Sequence, residues 1–406
     1  MRAPSNEPPW YVALRALWPE PHEITHGPGR RGQSAQAFLL LPRASRATLL
    51  VPDRPGKATA AALKNYKSPS TRRGRLQARA LHGLGRTGAA VLSPSRAKVR
   101  IAAGHDSLPA HFSRLLDEEV VIGMHLGPPR ANQKPVVQIM RRNGELVAFA
   151  KVGVNDLTRQ RVAGEAAALT ELSRRNLVHL SVPPLLHHGP WGECVYLVLA
   201  PVPTWTAGGI DTAARSKAMC ELVQTSATSR GALSSLAWWQ RTREGLERSA
   251  GVAEADQLLA RGRWMQHQWG DVDFEVGAAH GDWTPWNMAT PGARAVVWDW
   301  ERFAGDMPVG FDALHYGLEA AVRLDGMSPR EAVEHVAGRA GAIVAENGAD
   351  PDQGLAIFAL YLLGLGERFI TDGQLAAGAP KGALSSWLLP GLERLVDRAS
   401  RGTGEH

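Results

Sequence analysis

The most informative segment of the 406-residue sequence is HGDWTPWN at residues 280–287, which is followed by DWE at residues 299–301. Between them, segments 288–290 and 295–298 flank the turn sequence PGAR, and this pattern predicts a pair of antiparallel strands. In such a hairpin Asn287 and Asp299 lie almost opposite each other at the open end. Two oxygen ligands at one point suit a hard cation such as Mg²⁺, which fills the rest of its shell with water and phosphate oxygens.

Asp282 lies on the loop that enters this hairpin, five residues before Asn287. A carboxylate there can sit beside the metal without binding it and accept a proton from a hydroxyl that attacks phosphorus. We interpret His280 as a structural residue that orients the loop by hydrogen bonds. Singly, Asp282 and Asn287 are also ordinary turn residues, so the interpretation depends on the whole set.

A strand-rich region precedes this segment. Segments 119–126, 135–140 and 146–152 predict strands, and Asn143-Gly144 predicts a two-residue hairpin turn between the last two. A further buried strand is predicted at 196–200, and after Pro203 the pattern is mostly helical. A small sheet followed by a larger helical part indicates a two-lobe layout, with the ligand expected in the cleft between the lobes.

Glu165 is an inward-facing carboxylate on the helix predicted at about 161–174. It shares the apolar stripe of that helix with Leu169 and Leu172, at i, i+4 and i+7. A buried carboxylate is costly without a partner. Lys151, at the end of the preceding strand, is the nearest suitable cation along the sequence.

Segment 280–301, in this order and spacing and together with Lys151 and Glu165, resembles the aminoglycoside phosphotransferase and choline kinase superfamily. The resemblance extends over about residues 117–400. It implies an α+β, two-lobed protein-kinase-like fold, with a small β-rich N-lobe and a larger helical C-lobe. It also implies an enzyme that uses ATP and Mg²⁺ to transfer the γ-phosphoryl group to a hydroxyl of a small molecule.

The same resemblance implies roles for single residues. Asp282 is expected to be the catalytic base, and Asn287 and Asp299 are expected to bind Mg²⁺. Lys151 is expected to hold the α- and β-phosphates of ATP, with Glu165 as its ion-pair partner.

The resemblance also implies two supporting features. The segment from Leu197 to Ala200 is expected to be the hinge that hydrogen-bonds adenine through its backbone. Asp312 resembles an aspartate that braces the catalytic loop, and we expect it to be structural.

The sequence departs from the family pattern at two places. The predicted N-lobe, residues 113–201, contains no G-x-G-x-x-G loop: Gly123 and Gly127 flank a turn region instead, and Arg130 or Lys134 is the candidate to cover the phosphates. The acidic pair ends in Glu301, where many relatives have a second aspartate, and the sequence leaves open whether Glu301 reaches a second metal.

Residues 1–112 have no counterpart in the family and are predicted to form an extra basic α+β module, with strands at 38–41 and 48–51 and a helix at about 58–91. Residues 1–100 hold 18 Lys and Arg against 4 Asp and Glu. A basic surface of this kind has two explanations. It packs on the acidic remainder of the chain, which we favour, or it contacts phosphates or nucleic acid. The predicted domains are therefore 1–112, a nucleotide-binding N-lobe at 113–201 and a catalytic C-lobe at 202–406.

The composition favours a soluble cytoplasmic protein with no membrane partner, and it does not favour a nucleic-acid partner. Two cysteines are too few for a disulfide framework, no signal peptide is evident, and the apolar run 355–365 by itself is too short to span a bilayer. Residues 202–406 hold 18 Lys and Arg against 26 Asp and Glu. This acidity favours a cationic acceptor (an aminoglycoside, amino sugar or choline-like alcohol), with neutral sugars close behind.

Two other classes of function are open at this point. A pseudokinase would bind nucleotide to regulate a partner without transfer, although an intact lysine, base and metal set argues against it. A nucleic-acid-associated protein would bind DNA or RNA through residues 1–100, with an affinity that falls steeply with salt.

Overall fold

The structure, a computed structural model, describes residues 7–27, 35–53, 56–64, 96–100, 105–127, 132–203, 209–374 and 383–402. The chain forms two compact units. The first comprises Met1–Ala167 and Pro183–Trp205, and the second comprises Ala168–Val182 and Thr206–His406. The predicted fold class is confirmed: the protein is α+β, with a β-rich part followed by a mainly helical part.

Among the described residues, the first unit is built on a nine-stranded sheet in which every neighbouring pair is antiparallel. Its strands are β1 (Glu23–His26), β2 (Ala35–Leu41), β3 (Leu49–Pro52), β4 (Arg96–Arg100), β5 (Val121–His125), β6 (Val136–Met140), β7 (Leu146–Gly153), β9 (Leu185–Trp191) and β10 (Cys194–Leu199). Their order across the sheet is β1-β4-β2-β3-β5-β6-β7-β10-β9. The helices are α1 (Pro9–Leu17), α2 (Lys57–Lys64), α3 (Leu108–Leu115) and α4 (Asp156–Leu172), the last of which runs on into residues of the second unit.

The sheet is continuous across the predicted boundary at residue 112. Strand β3 pairs with β5, with Leu49 opposite His125 and Leu50 opposite Met124. The strands of the basic N-terminal part and those of the predicted N-lobe therefore belong to one sheet in one compact unit.

Alternating residues divide the apolar side chains between the two faces of the sheet. Phe38 and Leu40 pack with α1 on one face, whereas Leu39 packs with α2 on the other. Helix α2 lies close to the sheet because Gly123 has no side chain: a Cβ there would lie 3.2 Å from that of Ala62. We call the face covered by α2 the inner face.

The predicted strands and helix agree with the structure apart from their ends. Helix α4 begins at Asp156, earlier than predicted, because Oδ1 of Asn155 accepts a hydrogen bond from the amide of Thr158. The predicted two-residue turn is a longer loop closed by a hydrogen bond from the amide of Arg141 to the carbonyl of Glu145, and there only Gly144 takes a left-handed φ, of 88°. Of the helix predicted at 58–91, the structure describes α2, and the remainder lies outside the described residues.

The second unit is mainly helical. Its helices are α5 (Thr212–Val223), α6 (Ala237–Arg248), α7 (Ala253–Trp269), α8 (Phe311–Arg323), α9 (Pro329–Ala337), α10 (Ala340–Ala345), α11 (Gly354–Thr371) and α12 (Leu388–Gly402). Its strands are β8 (Leu180–Ser181), β11 (Ser229–Ala232), β12 (Asp273–Ala279), β13 (Met288–Ala289), β14 (Ala295–Val297) and β15 (Ala304–Pro308). They form two small sheets, β11-β12-β15 and β13-β14-β8.

Helix α11 is the central apolar helix of this unit. With the preceding turn it forms the 21-residue segment Pro351–Thr371, which contains an 18-residue stretch with a mean hydropathy of 1.4 and would allow a membrane span by length and composition. The run 355–365 is thus part of a longer helix than the sequence pattern indicates. Phe358 and Leu362 of α11 are fully buried in the core of the unit, as in the core helix of a soluble protein.

Candidate active site

Lys151 and Glu165 form the ion pair that the sequence predicts. Nζ of Lys151 lies 2.6 Å from Oε1 and 2.7 Å from Oε2 of Glu165. The Glu165 side chain is fully buried, and 13% of the Lys151 side chain is exposed. A buried charge needs close partners, so the pair holds an ammonium group at a defined position on the inner face of the sheet.

Lys151 is on β7 and Glu165 is on α4, and Gly153 allows this strand and this helix to follow each other closely. At Gly153, the last residue of β7, a Cβ would lie 2.6 Å from the Cα of Arg159 in the first turns of α4. The hydroxyl of Thr158 accepts hydrogen bonds from the amides of Val154 and Asn155, at 2.9 and 3.0 Å. Helix α4 therefore starts tightly against the end of β7, which sets the position of Glu165 relative to Lys151.

Leu197 lies next to Lys151 in the sheet, and Ala200 follows the end of the same strand. Leu197 is paired with Lys151 in the β7–β10 ladder and is fully buried. Strand β10 also pairs with β9, so Leu197 belongs to an interior strand, and the amide of Ala200 donates to the carbonyl of Pro184 at 2.9 Å. That these residues bind adenine stays a prediction.

Phe149 is a residue of this face to which the sequence analysis assigned no role. It is paired with Leu199 on one side and with Gln138 on the other. Paired residues share a face, and so do residues two apart in a strand. The ring of Phe149 therefore lies on the same face as Lys151; an aromatic residue two positions before the lysine is a signal that the sequence already carried.

Asp282, in the second unit, is held through both carboxylate oxygens. Oδ1 lies 3.2 Å from Nε2 of His315 and 3.6 Å from Nη2 of Arg368. Oδ2 accepts a hydrogen bond from Nδ2 of Asn287 at 3.2 Å, and the same amide donates to the backbone carbonyl of Asp282 at 3.0 Å. Since 30% of the Asp282 side chain is exposed, the carboxylate is oriented and still accessible.

The surroundings of Asp282 keep it ionised. Burial alone would raise its pKa, but the contact with His315 and the guanidinium groups of Arg368 and Arg302 outweigh that cost and hold the pKa well below its ordinary value. Asp282 is therefore a carboxylate, and a hydrogen-bond acceptor, at neutral pH.

The loop before Asp282 is braced by Asp312, at the start of α8. Its two carboxylate oxygens accept hydrogen bonds from the amides of His280, at 2.7 Å, and Gly281, at 2.9 Å. Gly281 has a φ of +77°, and a Cβ there would lie 2.5 Å from the carbonyl oxygen of Arg302, so glycine is required. The brace predicted for Asp312 is present.

His280 uses both ring nitrogens within the loop. Nδ1 accepts a hydrogen bond from the amide of Asp282 at 3.1 Å, and Nε2 lies 3.0 Å from the carbonyl oxygen of Trp298. The imidazole is fully buried. This is the structural arrangement expected for His280.

The predicted hairpin brings Asn287 towards Asp299. Met288 pairs with Val297, and the carbonyl of Asn287 accepts a hydrogen bond from the amide of Trp298 at 3.0 Å. Asp299 is one residue beyond and has a φ of 73°, a left-handed conformation that aspartate tolerates better than most residues. The chain turns there, and a carboxylate oxygen of Asp299 lies within 4.8 Å of one of Glu301.

This set of side chains fits Mg²⁺. Because Nδ2 of Asn287 donates to two acceptors, its Oδ1 is the atom left for a ligand. Together with carboxylate oxygens of Asp299 and Glu301 it makes an all-oxygen donor set, which is the kind that Mg²⁺ prefers.

Sequence reasoning missed the residues that surround Asp282, namely His315 on α8, Arg368 on α11 and Arg302. A signal for one of them was available: Arg368, which follows Glu367, is a cation in the mainly apolar helix α11, and a buried charge needs a partner. Arg302 forms an ion pair with Asp372. His315 lies one turn after Asp312, but nothing local to it points to Asp282.

The candidates for a phosphate-covering loop are only partly described. Arg130 lies outside the described residues, whereas Lys134 precedes β6. Gly127 has a φ of 70°, as a turn requires. Gly123 instead lies within β5 and serves the close packing of α2.

The tryptophans near the site fall into two groups. Trp283 and Trp300 are fully buried and belong to the core. Trp286, on the loop after Asp282, is 45% exposed, and the guanidinium of Arg323 lies 6.0 Å from its ring centre.

No protein-family model and no curated protein matches the sequence. Solved structures do match. A thermostable mutant of the aminoglycoside phosphotransferase APH(4)-Ia, in ternary complex with ADP and hygromycin B, is 12% identical over 72% of this chain and 98% of its own, with a TM-score of 0.47. A choline/ethanolamine kinase family protein from Mesorhizobium loti is 15% identical over 70% of this chain and 90% of its own, with a TM-score of 0.44.

The complex of gentamicin with APH(2")-IIa is 12% identical over 73% of this chain and 97% of its own, with a TM-score of 0.42. The structural neighbours of the chain are phosphotransferases and kinases. At these identities and TM-scores the likeness assigns no reaction by itself.

Proposed function

We propose that the protein is an ATP-dependent phosphotransferase that moves the γ-phosphoryl group of ATP to a hydroxyl of a small molecule. The observation that carries the proposal is the arrangement at Asp282, an ionised, partly accessible carboxylate whose Oδ2 is bonded to Asn287, the residue that opens the hairpin to Asp299. Phosphoryl transfer demands positioning and charge neutralisation more than covalent chemistry, and these residues are of the required types.

In the first unit, we assign binding of the α- and β-phosphates to Lys151, which Glu165 holds at its defined position. The backbone from Leu197 to Ala200 is assigned to the adenine. Phe149, on the same face of the sheet, offers a ring against which the base can stack.

In the second unit, Asn287 and Asp299 would hold Mg²⁺, and Glu301 lies near enough to Asp299 to contribute an oxygen. When bound, Mg²⁺ neutralises negative charge on the phosphates. Both carboxylates come from one short segment, residues 299–301.

The hydroxyl reacts beside Asp282. Its oxygen forms a bond to the γ-phosphorus while the bond from that phosphorus to the bridging β–γ oxygen breaks, and ADP leaves with that electron pair. The hydroxyl proton passes to Oδ2 of Asp282 and then to water. Because the pKa of Asp282 lies well below its ordinary value, the carboxylate orients the hydroxyl first and takes the proton late in the reaction.

For the acceptor, we propose a cationic alcohol: an aminoglycoside, an amino sugar or a choline-like compound. Residues 202–406 carry 18 Lys and Arg against 26 Asp and Glu, and such a field favours a cation. Trp286 is exposed on the loop after Asp282 and offers a face that suits a sugar ring or an ammonium group.

We further propose that the reaction takes place in the cytoplasm. Cys194 and Cys220 are both free thiols, which a reducing compartment allows, and ATP is the phosphoryl donor.

The test is ADP release from Mg-ATP with a panel of acceptors: hygromycin B, gentamicin, other amino sugars, neutral sugars, choline and ethanolamine. We expect acceptor-dependent ADP release that Asp282→Ala abolishes while ATP binding, followed by calorimetry, persists. Asp306→Ala is a matched control, since Asp306 pairs with the exposed Arg241. Near-normal turnover in Asp282→Ala contradicts the assignment; ATP binding with no transfer to any acceptor favours the pseudokinase alternative.

A further inference from the structure

We infer that His315 is a positioning residue: with Tyr361 it holds Oδ1 of Asp282, so that Oδ2 is the oxygen that faces the acceptor hydroxyl. The inference rests on the proposed function, because it names the residue that orients the proposed base. His315 is on α8 and Tyr361 is on α11, so two helices far apart in the sequence meet at the catalytic loop.

The contacts form a chain of three groups. The hydroxyl of Tyr361 lies 2.7 Å from Nδ1 of His315, and Nε2 of the same ring lies 3.2 Å from Oδ1 of Asp282. His315 is 3% exposed and Tyr361 is 6% exposed, against 30% for the side chain of Asp282. The histidine therefore lies behind the carboxylate, where a substrate hydroxyl does not reach it, and it acts through Asp282.

A hydrogen bond from the Tyr361 hydroxyl to Nδ1 of His315 favours one tautomer of the imidazole. Burial raises the pKa of Tyr361 well above the ordinary value, so its hydroxyl keeps its proton and can donate to Nδ1. A neutral imidazole that accepts at Nδ1 carries its proton on Nε2, and Nε2 is the nitrogen that faces Asp282. The opposite tautomer would turn a lone pair towards a carboxylate, which is unfavourable.

The two oxygens of Asp282 are thus in different environments. Oδ1 faces His315 and also Arg368, whose Nη1 donates to the carbonyl of Gly281 at 2.6 Å and ties the same loop. Oδ2 faces Asn287, the residue that leads to the proposed metal ligands. Because His315 and Arg368 hold Oδ1, Oδ2 is the oxygen left to face the acceptor hydroxyl.

The test uses variants that separate orientation from folding. Tyr361→Phe removes the hydroxyl and keeps the ring, which packs edge-on against Phe311 and parallel to Phe358. His315→Leu removes both contacts of the imidazole. His315→Gln keeps an amide that can donate to Asp282 and should restore part of the lost rate.

The reaction is followed as ADP release from Mg-ATP with the acceptor of the panel that gives the highest rate. For His315→Leu we expect kcat to fall roughly 100-fold, the cost of misplacing a reacting group by about 1 Å. KM for ATP and for the acceptor should change by less than about 3-fold, because the contact orients the base and does not bind substrate. Tyr361→Phe should lower kcat roughly 10-fold and have no further effect in the His315→Leu background.

The matched control is Tyr196→Phe. It removes the same kind of contact, from the Tyr196 hydroxyl to Nε2 of His111 at 3.1 Å, in the first unit and on the sheet face opposite Lys151. We expect kcat to stay unchanged there. Equal loss of kcat in Tyr196→Phe and Tyr361→Phe, or a His315→Leu variant that keeps kcat, overturns the inference while leaving the proposed function intact. A wild-type protein that transfers phosphate to none of the acceptors overturns the proposed function itself.

Discussion

Asp282 and Asp312 are two carboxyl groups whose surroundings shift their pKa values in opposite directions. Burial raises the pKa of Asp312, which binds two backbone amides and braces the loop. Burial acts on Asp282 too, but His315, Arg368 and Arg302 outweigh it and lower its pKa. Surroundings that push the pKa values of two carboxyl groups apart are typical of sites in which the two groups have different roles.

The Lys151–Glu165 pair gives a prediction for single residues. Lys151→Met should lower kcat/KM for ATP roughly 100-fold or more, because it removes the cation that we assign to the α- and β-phosphates. The same change leaves the buried Glu165 carboxylate without its ammonium partner and should lower the free energy of unfolding by about 3 kcal/mol. Both effects are measurable by steady-state kinetics and urea unfolding.

A second variant separates the two effects. The double change Lys151→Met with Glu165→Leu should recover much of the stability, since it removes the buried charge together with its partner, but it should not recover activity. Lys217→Met, at an exposed lysine of α5, is the control. An active double variant would show that Lys151 does not contact ATP.

At the scale of elements, glycines allow helices to approach the sheet. Gly123 makes room for Ala62 of α2, and Gly153 makes room for the first turns of α4 around Arg159. The contact at Gly153 is with backbone atoms, which cannot move aside as a side chain can. The start of α4, and with it the position of Glu165, therefore depends on this residue.

Gly153→Ala should accordingly damage both stability and nucleotide binding. The added Cβ would lie 2.6 Å from the Cα of Arg159, so the helix must shift, at a cost of about 1–3 kcal/mol. Thermal unfolding and ATP titration measure the two effects. Gly338→Ala is the control, because the nearest atom to its Cβ would lie at 3.7 Å; equal behaviour of the two variants would contradict the explanation.

At the scale of the whole molecule, the main finding is the continuity of the nine-stranded sheet of the first unit. Strand β3 hydrogen-bonds to β5, the first strand of the region that resembles kinases. The buried apolar residues of α1 belong to a core cluster that also includes Tyr196 and Val198 of β10. The N-terminal residues thus share a sheet and a core with the strands that carry Lys151.

Deletion of residues 1–112 should therefore prevent folding of the remainder. The deletion exposes the hydrogen-bonding edge of β5 and the apolar side chains beneath α1, and a bare edge strand promotes aggregation. Soluble yield, near-ultraviolet circular dichroism and cooperative thermal unfolding of residues 113–406 test this. A soluble deletion variant that unfolds cooperatively would show that the N-terminal part is dispensable for the fold.

The sequence alone determined the features that depend on neighbouring residues. Alternation predicted the strands around Lys151, helical spacing placed Glu165 on an apolar stripe, and the short hairpin brought Asn287 towards Asp299. Side-chain periodicity and turn chemistry depend on residues a few positions apart. Strands, helices and turns can therefore be predicted from a single sequence.

Only the tertiary structure determined which distant residues surround Asp282 and how the sheet extends. His315 and Arg368 come from α8 and α11, and their approach to one carboxylate depends on how those helices pack. The pairing of β3 with β5 joins strands separated by about 70 residues of chain, and no local pattern specifies it. Such contacts follow from the burial of whole faces, so they appear only once the chain is packed.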